Sequence, residues 1–172
     1  MRKSIVSIVD EHKHLRLLLA AICGCLMITL GSLLRIPCYP VPFTCQSLAI
    51  FIIGLTYSPK EAIAAAVCYL VCATAGLPVL DGKANPFWMY GKCAGYLFSF
   101  PLAAYLIATL HQKMSSFLAL FCGNVCILFC GWLGLIPFLG PKMALIQGVL
   151  VFIPSGIAKI FLSQILIKKR FL

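Results

Sequence analysis

The sequence predicts an all-α membrane protein, a compact bundle of about six transmembrane helices with interrupted segments on its outer side. Of its 172 residues, 62% are hydrophobic and 10% are charged, whereas soluble domains carry roughly 25% charged residues. Helices satisfy their own backbone in hydrocarbon, and the alternation expected of membrane strands is missing. The uncharged runs approach the roughly 20 residues that a spanning helix needs: Leu17–Leu34, Ile36–Pro59, Ala62–Leu80, Cys93–Leu110, Met114–Pro141 and Met143–Ala158.

Charge distribution predicts the orientation. Residues 1–16 form a polar cytoplasmic segment, and residues 17–172 form one six-helix membrane domain whose first span is retained, since no cleavage site follows it. The net charge of +10 is explained by orientation rather than by nucleic-acid binding, because cytoplasmic loops collect Lys and Arg. Both termini are therefore expected in the cytoplasm, with the bundle in the cytoplasmic membrane. The cations on the cytoplasmic side are Arg2, Lys3, Lys13, Arg16, Lys60, Lys113, Lys168, Lys169 and Arg170, and those outside are Arg35, Lys83, Lys92 and Lys142.

The first two spans carry different signals. Small residues at Ala20 and Gly24 allow close helix approach, which fits either packing within the chain or docking of a partner membrane subunit. The run IPCYPVPFTCQ then interrupts the helix. The remaining segment, 46–57, is too short to cross a bilayer alone, and interrupted segments of this kind mark binding sites in transporters.

Local signals set the next boundaries. Ser58, Pro59 and Glu61 predict a capped start of the third span. Gly76 then predicts its end. The fourth span is expected over residues 93–110, and the fifth is expected to end near Pro137.

The last segment contains the strongest candidate residue. Pro154 predicts a break, with 143–151 folding back in the outer loop and a final helix of about fifteen residues beginning at the proline. Lys159 then lies inside that helix, where a cation is costly unless it has a partner, so it is a candidate for ligand binding. Snorkelling to the interface is the alternative.

No catalytic or metal-binding pattern is recognisable. Cys122, Cys126 and Cys130 share one helix stripe, but no His lies near them, and membrane cysteines ordinarily pack as small apolar residues. The sequence shows no paired carboxylates and no nucleotide-binding motif. We therefore expect no enzyme activity, no metal and no cofactor.

Four outer-side motifs, in order, resemble the BioY family, the biotin-binding S components of energy-coupling-factor (ECF) transporters. PVPFTCQ (40–46) is similar to that family's PVPxTxQ, and GLPV (76–79) to its GLPVF. GKCAGYLFSF (91–100) is similar to GPTGGYLxGF, and FIPSGIAK (152–159) to FxPGDxxK. Gly156 stands where the family pattern has Asp.

The resemblance implies biotin held under the outer loops, with the lipid bilayer around the bundle and coupling to a T component and an ATPase pair. Biotin needs a cation for its carboxylate, polar partners for its ureido group and apolar walls. The residues expected at the site are Lys159 and Lys92 as cations, Asp81, Asn85 and Gln46 for the ureido group, Phe43, Trp88 and Tyr90 as walls, and Thr44 and Tyr96 from the motifs.

Two other functions remain open at this stage. An S component for a different small vitamin is favoured by the changes at Gly156 and Lys92. A non-transporting protein that acts by helix association or self-association would depend on Gly24 rather than on Lys159.

Overall fold

The computed structural model describes residues 2–168, with side chains from residue 13 onward, and in that part the chain forms seven α-helices. The all-α prediction is confirmed, with a two-stranded hairpin as a small addition. The predicted cytoplasmic positions of Lys169 and Arg170 lie outside the described residues. The elements are α1 (Arg2–Leu33), β1 (Arg35–Ile36), β2 (Phe43–Thr44), α2 (Gln46–Thr56), α3 (Pro59–Thr74), α4 (Ala94–Leu110), α5 (Ser116–Leu139), α6 (Pro141–Gly148) and α7 (Ile153–Lys168).

The outside of the bundle is apolar. Three helical segments are long and apolar enough to cross a membrane, namely Lys13–Leu33, Ser116–Leu139 and Pro141–Lys168. Two shorter apolar helices, Gln46–Thr56 and Ala94–Leu110, complete the bundle between them. Large aliphatic and aromatic side chains are exposed on nearly every helix, and lipid is the solvent that such a surface requires.

One end of the bundle, which we call the loop end, carries segments 34–45, 75–93 and 140–152. Here β1 pairs with β2 in antiparallel register, with Ile36 opposite Phe43. The amide of Cys45 donates to the carbonyls of Gly31 and Leu34, at 3.0 and 3.1 Å. A Cβ at Gly31 would lie 2.8 Å from the Cys45 oxygen, so glycine permits α2 to begin directly against α1.

The predicted helix starts are confirmed. At the start of α3, the amide of Ser58 donates to Glu61 Oε2 at 2.9 Å, which forms the expected capping box. Pro154 is the second residue of α7. A backbone N–H at that position would have no carbonyl partner within the helix, so the N–H that proline lacks is not missed. The predicted end of the fifth span is slightly wrong, because α5 continues through Pro137 to Leu139 and ends at Gly140, whose φ is 76°.

Helices α4 and α5 cross closely because glycines face each other near the loop end. A Cβ at Gly95 would lie 3.0 Å from the Cα of Gly134. A Cβ at Gly131 would overlap the ring of Tyr96. The glycines of α5 therefore let the Tyr96 ring lie flat against that helix, and this contact fixes one wall of the cavity described below.

Gly24 packs inside the chain rather than on its surface. It is buried in α1, and a Cβ there would overlap Cβ of Ala65 on α3. The small-residue spacing thus serves internal packing at Gly24. Ala20 is half-exposed and lines a shallow groove closed by the Arg16–Glu61 ion pair at 2.8 Å, so its docking role stays a prediction.

Replacement of Gly24 by Leu should destabilise the fold, because overpacking a closed helix contact costs about 1–3 kcal/mol. Thermal unfolding of the detergent-solubilised protein measures the loss. Cys23→Leu is the matched control, since Cys23 is exposed on the same helix and should tolerate the larger side chain. Equal melting temperatures for the two variants would contradict the internal packing role.

Candidate functional site

A cavity lies inside the loop end, between helices α2, α4, α5 and α7. The cavity has a volume of about 100 Å³, several times the roughly 10–15 Å³ that one water molecule needs. The space therefore suits a small organic molecule. Its lining consists of Val41, Pro42, Thr44, Gln46, Ser47, Leu80, Asp81, Cys93, Tyr96, Leu97, Phe100, Asn124, Ile127, Leu128, Phe152, Ser155, Gly156 and Lys159.

Lys159 is the cation of this cavity, and its partners are neutral. Its Nζ donates to the backbone carbonyl of Thr44 at 2.7 Å and to the hydroxyl of Ser47 at 2.8 Å. Among the described side chains, the carboxylates of Glu61 and Asp81 are both held by arginines. The Lys159 charge therefore has no described acid to balance it, and its remaining N–H donor is available to a bound oxygen.

The predicted polar residues Thr44 and Gln46 form a network beside Lys159. The Thr44 hydroxyl donates to Gln46 Oε1 at 2.9 Å, and Gln46 Nε2 donates to the hydroxyl of Tyr69. Tyr69 also lies 3.4 Å from the carbonyl of Val79 in the next loop. Part of the hydrogen-bonding capacity of Gln46 is therefore used inside the protein, and its amide is held in a fixed orientation.

Asp81 lines the cavity from the loop after α3. Its backbone has a φ of 55°, and its carboxylate accepts from Arg35 Nη1 at 2.8 Å. The pair connects the β-hairpin to the second loop across the cavity. Because Arg35 pairs with the carboxylate of Asp81, that carboxylate does not balance the positive charge of Lys159.

Aromatic rings form another part of the cavity wall. Tyr96 lines the cavity and donates its hydroxyl to the Gly148 carbonyl at 2.6 Å. Phe152 lies 5.9 Å from Tyr96 between ring centroids and stacks on Phe43 at 4.4 Å. Phe43 thus supports the wall from behind without lining the cavity. The wall joins α4 to α6 and to the start of α7.

Besides Phe43, four of the predicted residues lie outside the cavity lining. Trp88 is buried elsewhere, where its Nε1 donates to Thr74 at 3.1 Å. Tyr90 and Asn85 are exposed. Lys92 sits over the ring of Tyr39, with Nζ 4.2 Å from its centroid. A ligand role for these residues would need movement of the loops and stays a prediction.

Sequence reasoning missed the polar residue of α5. Asn124 is 9% exposed, lines the cavity and is the only amide in an otherwise apolar helix. A single amide in an apolar helix is a signal from which sequence analysis could have identified this residue. Ser47 and Ser155 gave no comparable signal, because a serine near a helix start is ordinarily read as part of a cap.

Three cysteines also meet inside the bundle. The sulfurs of Cys25, Cys68 and Cys72 lie within 4.8 Å of one another, and Cys25 and Cys72 are 4.0 Å apart. The sequence places Cys68 and Cys72 one turn apart, but the contribution of α1 is a long-range contact. The expected absence of a metal stays a prediction.

The fold and the cavity define the class of this protein: a helical membrane protein with a cavity at its loop end, lined by apolar side chains and a few polar ones. Its sequence matches the sequence model of the BioY family over residues 2–171. The chain therefore belongs to the BioY family, as the four motifs indicated.

Individual relatives agree with this assignment. The "Probable biotin transporter BioY" of Rickettsia prowazekii is 28% identical over 149 residues, covering 83% of this chain and 77% of the relative. The protein of the same description from Pyrococcus horikoshii is 31% identical, covering 76% and 81%. The solved S-component for biotin from an ECF-type ABC transporter superposes with a TM-score of 0.78 at 25% identity, over 92% of both chains.

Removal of the cavity cation should not harm the ligand-free fold. A half-buried ammonium held by neutral oxygens loses hydration that those oxygens only partly replace. We therefore expect Lys159→Met, which keeps the length of the side chain, to leave the melting temperature unchanged or higher. A melting temperature well below that of the wild type would show that Lys159 has a structural role instead.

Proposed function

We propose that the protein binds biotin and takes it up across the cytoplasmic membrane as the substrate-binding subunit of a transporter. The observation that carries the proposal is Lys159, a cation in an internal cavity with no described acidic partner. In a medium of low dielectric constant, such a charge favours an electron-rich oxygen on the ligand. Biotin is the ligand we infer, because the relatives are described as biotin transporters and the structural relative is an S-component for biotin.

Biotin fits the chemistry of the lining at both ends. Its carboxylate and its ureido carbonyl each present an oxygen to which Lys159 Nζ can donate. Its ring and aliphatic chain match the apolar part of the wall, which includes Leu97, Phe100, Ile127 and Phe152. The third N–H of Lys159 Nζ supplies the contact with the ligand, so the hydrogen bonds to Thr44 and Ser47 can remain in place.

The loop end is the proposed entrance and faces the outside, with both termini in the cytoplasm. The excess of Lys and Arg on the opposite end supports this orientation. The sequence carries no nucleotide-binding motif, so energy for uptake comes from a T component and an ATPase pair. The ECF-type structural relative supports such a partnership. The function is binding and transport rather than catalysis, since Asp81 is engaged by Arg35.

The first test is calorimetric titration of purified protein with biotin. Lys159→Met should weaken binding about 10- to 150-fold, the equivalent of one hydrogen bond to a charged group. Lys142→Met is the matched control, because Lys142 is exposed on α6 and lies outside the cavity lining, and this variant should bind biotin nearly as tightly as the wild type.

Biotin amide in the same titrations identifies the ligand end. The penalty for Lys159→Met shrinks with the amide if the lysine meets the carboxylate, and it persists if the lysine meets the ureido oxygen. A wild-type protein that is folded but does not bind biotin would overturn the proposal and point to another small vitamin, the alternative favoured by Gly156.

The ion pair between the two loops should slow ligand release. Arg35→Gln removes the contact with Asp81, whose carboxylate and partner are 27% and 38% exposed. A partly exposed pair contributes at most about 1 kcal/mol, so we expect dissociation up to about fivefold faster in a stopped-flow chase. Lys83→Gln changes charge in the same loop without breaking a described ion pair and should release biotin at the wild-type rate. Equal rates for both variants would remove the pair from the release step.

A further inference from the structure

Asn124 carries hydrogen-bonding groups that the protein does not use. Its side chain is 9% exposed and opens on the cavity from the middle of α5. Among the described residues, no group forms a hydrogen bond or an ion pair with its amide. Because this amide has no described protein partner and faces the cavity, its donor and acceptor are both free to bind a ligand.

The neighbouring helix makes room for this amide. A Cβ at Gly156 would lie 2.7 Å from Asn124 Nδ2 and 2.8 Å from Oδ1, distances that real atoms do not reach. The amide therefore occupies the space that any side chain at position 156 would take. Gly156 lies three residues before Lys159, on the same side of α7, so the free amide and the lysine face one cavity.

We propose that Asn124 is the residue that recognises the ureido ring of the ligand, and that Gly156 is required because it leaves space for the asparagine. The inference rests on the proposed function, which supplies a ligand with a cyclic urea. One edge of a cyclic urea presents an N–H donor beside a C=O acceptor. A carboxamide presents the complementary pair: Oδ1 accepts from the ring N–H while Nδ2 donates to the ring oxygen.

This assignment explains how the protein can accept a hydrogen bond from the urea N–H of the ligand although position 156 has no acidic side chain. An acceptor for a urea N–H can come from α5 instead of α7, at the same place in the cavity. Because the two positions compete for one volume, a side chain at 156 and the observed orientation of Asn124 exclude each other. The pair thus acts as one specificity determinant divided between two helices.

Asn124→Leu tests the proposal, because leucine has nearly the same size and no hydrogen-bonding group. We expect biotin to bind about 10- to 100-fold more weakly, while the melting temperature without ligand stays equal or rises. A residue with a merely structural role would instead lower the melting temperature. The matched control is Gln112→Leu, since this amide is exposed in the loop after α4 and lies outside the cavity lining.

Gly156→Ala supplies the second half of the test. The methyl group meets only the end of the Asn124 side chain, so the protein should fold, but the amide must turn away and biotin binding should fall to a similar extent. In the Asn124→Leu background the same change should add little, because the recognition group is already gone.

The outcomes separate this inference from the proposed function. Wild-type affinity in Asn124→Leu, or full additivity of the two substitutions, would overturn the role of Asn124 and leave biotin binding intact. A folded wild-type protein that does not bind biotin would overturn both. Desthiobiotin, which keeps the cyclic urea, should show the same loss in Asn124→Leu, and an unchanged affinity for it would also contradict the assignment.

Discussion

The hydrogen bonds from Lys159 to two neutral oxygens are the interaction on which the rest of the site depends. They require the carbonyl of Thr44 and the hydroxyl of Ser47 to meet a side chain from a helix more than a hundred residues later in the sequence. That meeting is possible because α2 begins inside the bundle, after the proline-rich hairpin, and because α6 returns the chain along α5 before α7 starts. The interruptions of the helices therefore place the oxygens and the cation around one cavity.

The helices around the cavity differ in rigidity from the loops above it. Close contacts at Gly95, Gly131 and Gly134 hold α4 against α5 and fix the Tyr96 ring, whose hydroxyl then anchors Gly148. At the loop end, the described contact between the hairpin and the second loop includes the partly exposed ion pair of Arg35 with Asp81, and such a pair contributes little free energy in contact with water. A ligand can therefore open the loops at small cost while the walls keep their shape, and recognition takes place on a preformed surface.

Signals confined to a few neighbouring residues allowed most of the fold to be predicted. Pro59 and Pro154 mark helix starts because the chemistry of a proline N-terminus is local, and Lys159 was singled out because a cation inside an apolar helix is costly. The geometry that sequence analysis does not supply depends on contacts between residues far apart in the chain. Trp88 turns toward Thr74 through the path of a long loop. The contact between Asn124 and Gly156 is visible only in the structure, because no spacing in the sequence relates α5 to α7.

A structure of the protein with biotin bound is the most direct test of the claim that Lys159 holds the ligand. The account predicts Lys159 Nζ about 2.7–3.2 Å from an oxygen of biotin, bound through the N–H that Thr44 and Ser47 leave free. It would be contradicted by biotin bound elsewhere, or by biotin in the cavity while Lys159 keeps both contacts and meets no ligand oxygen.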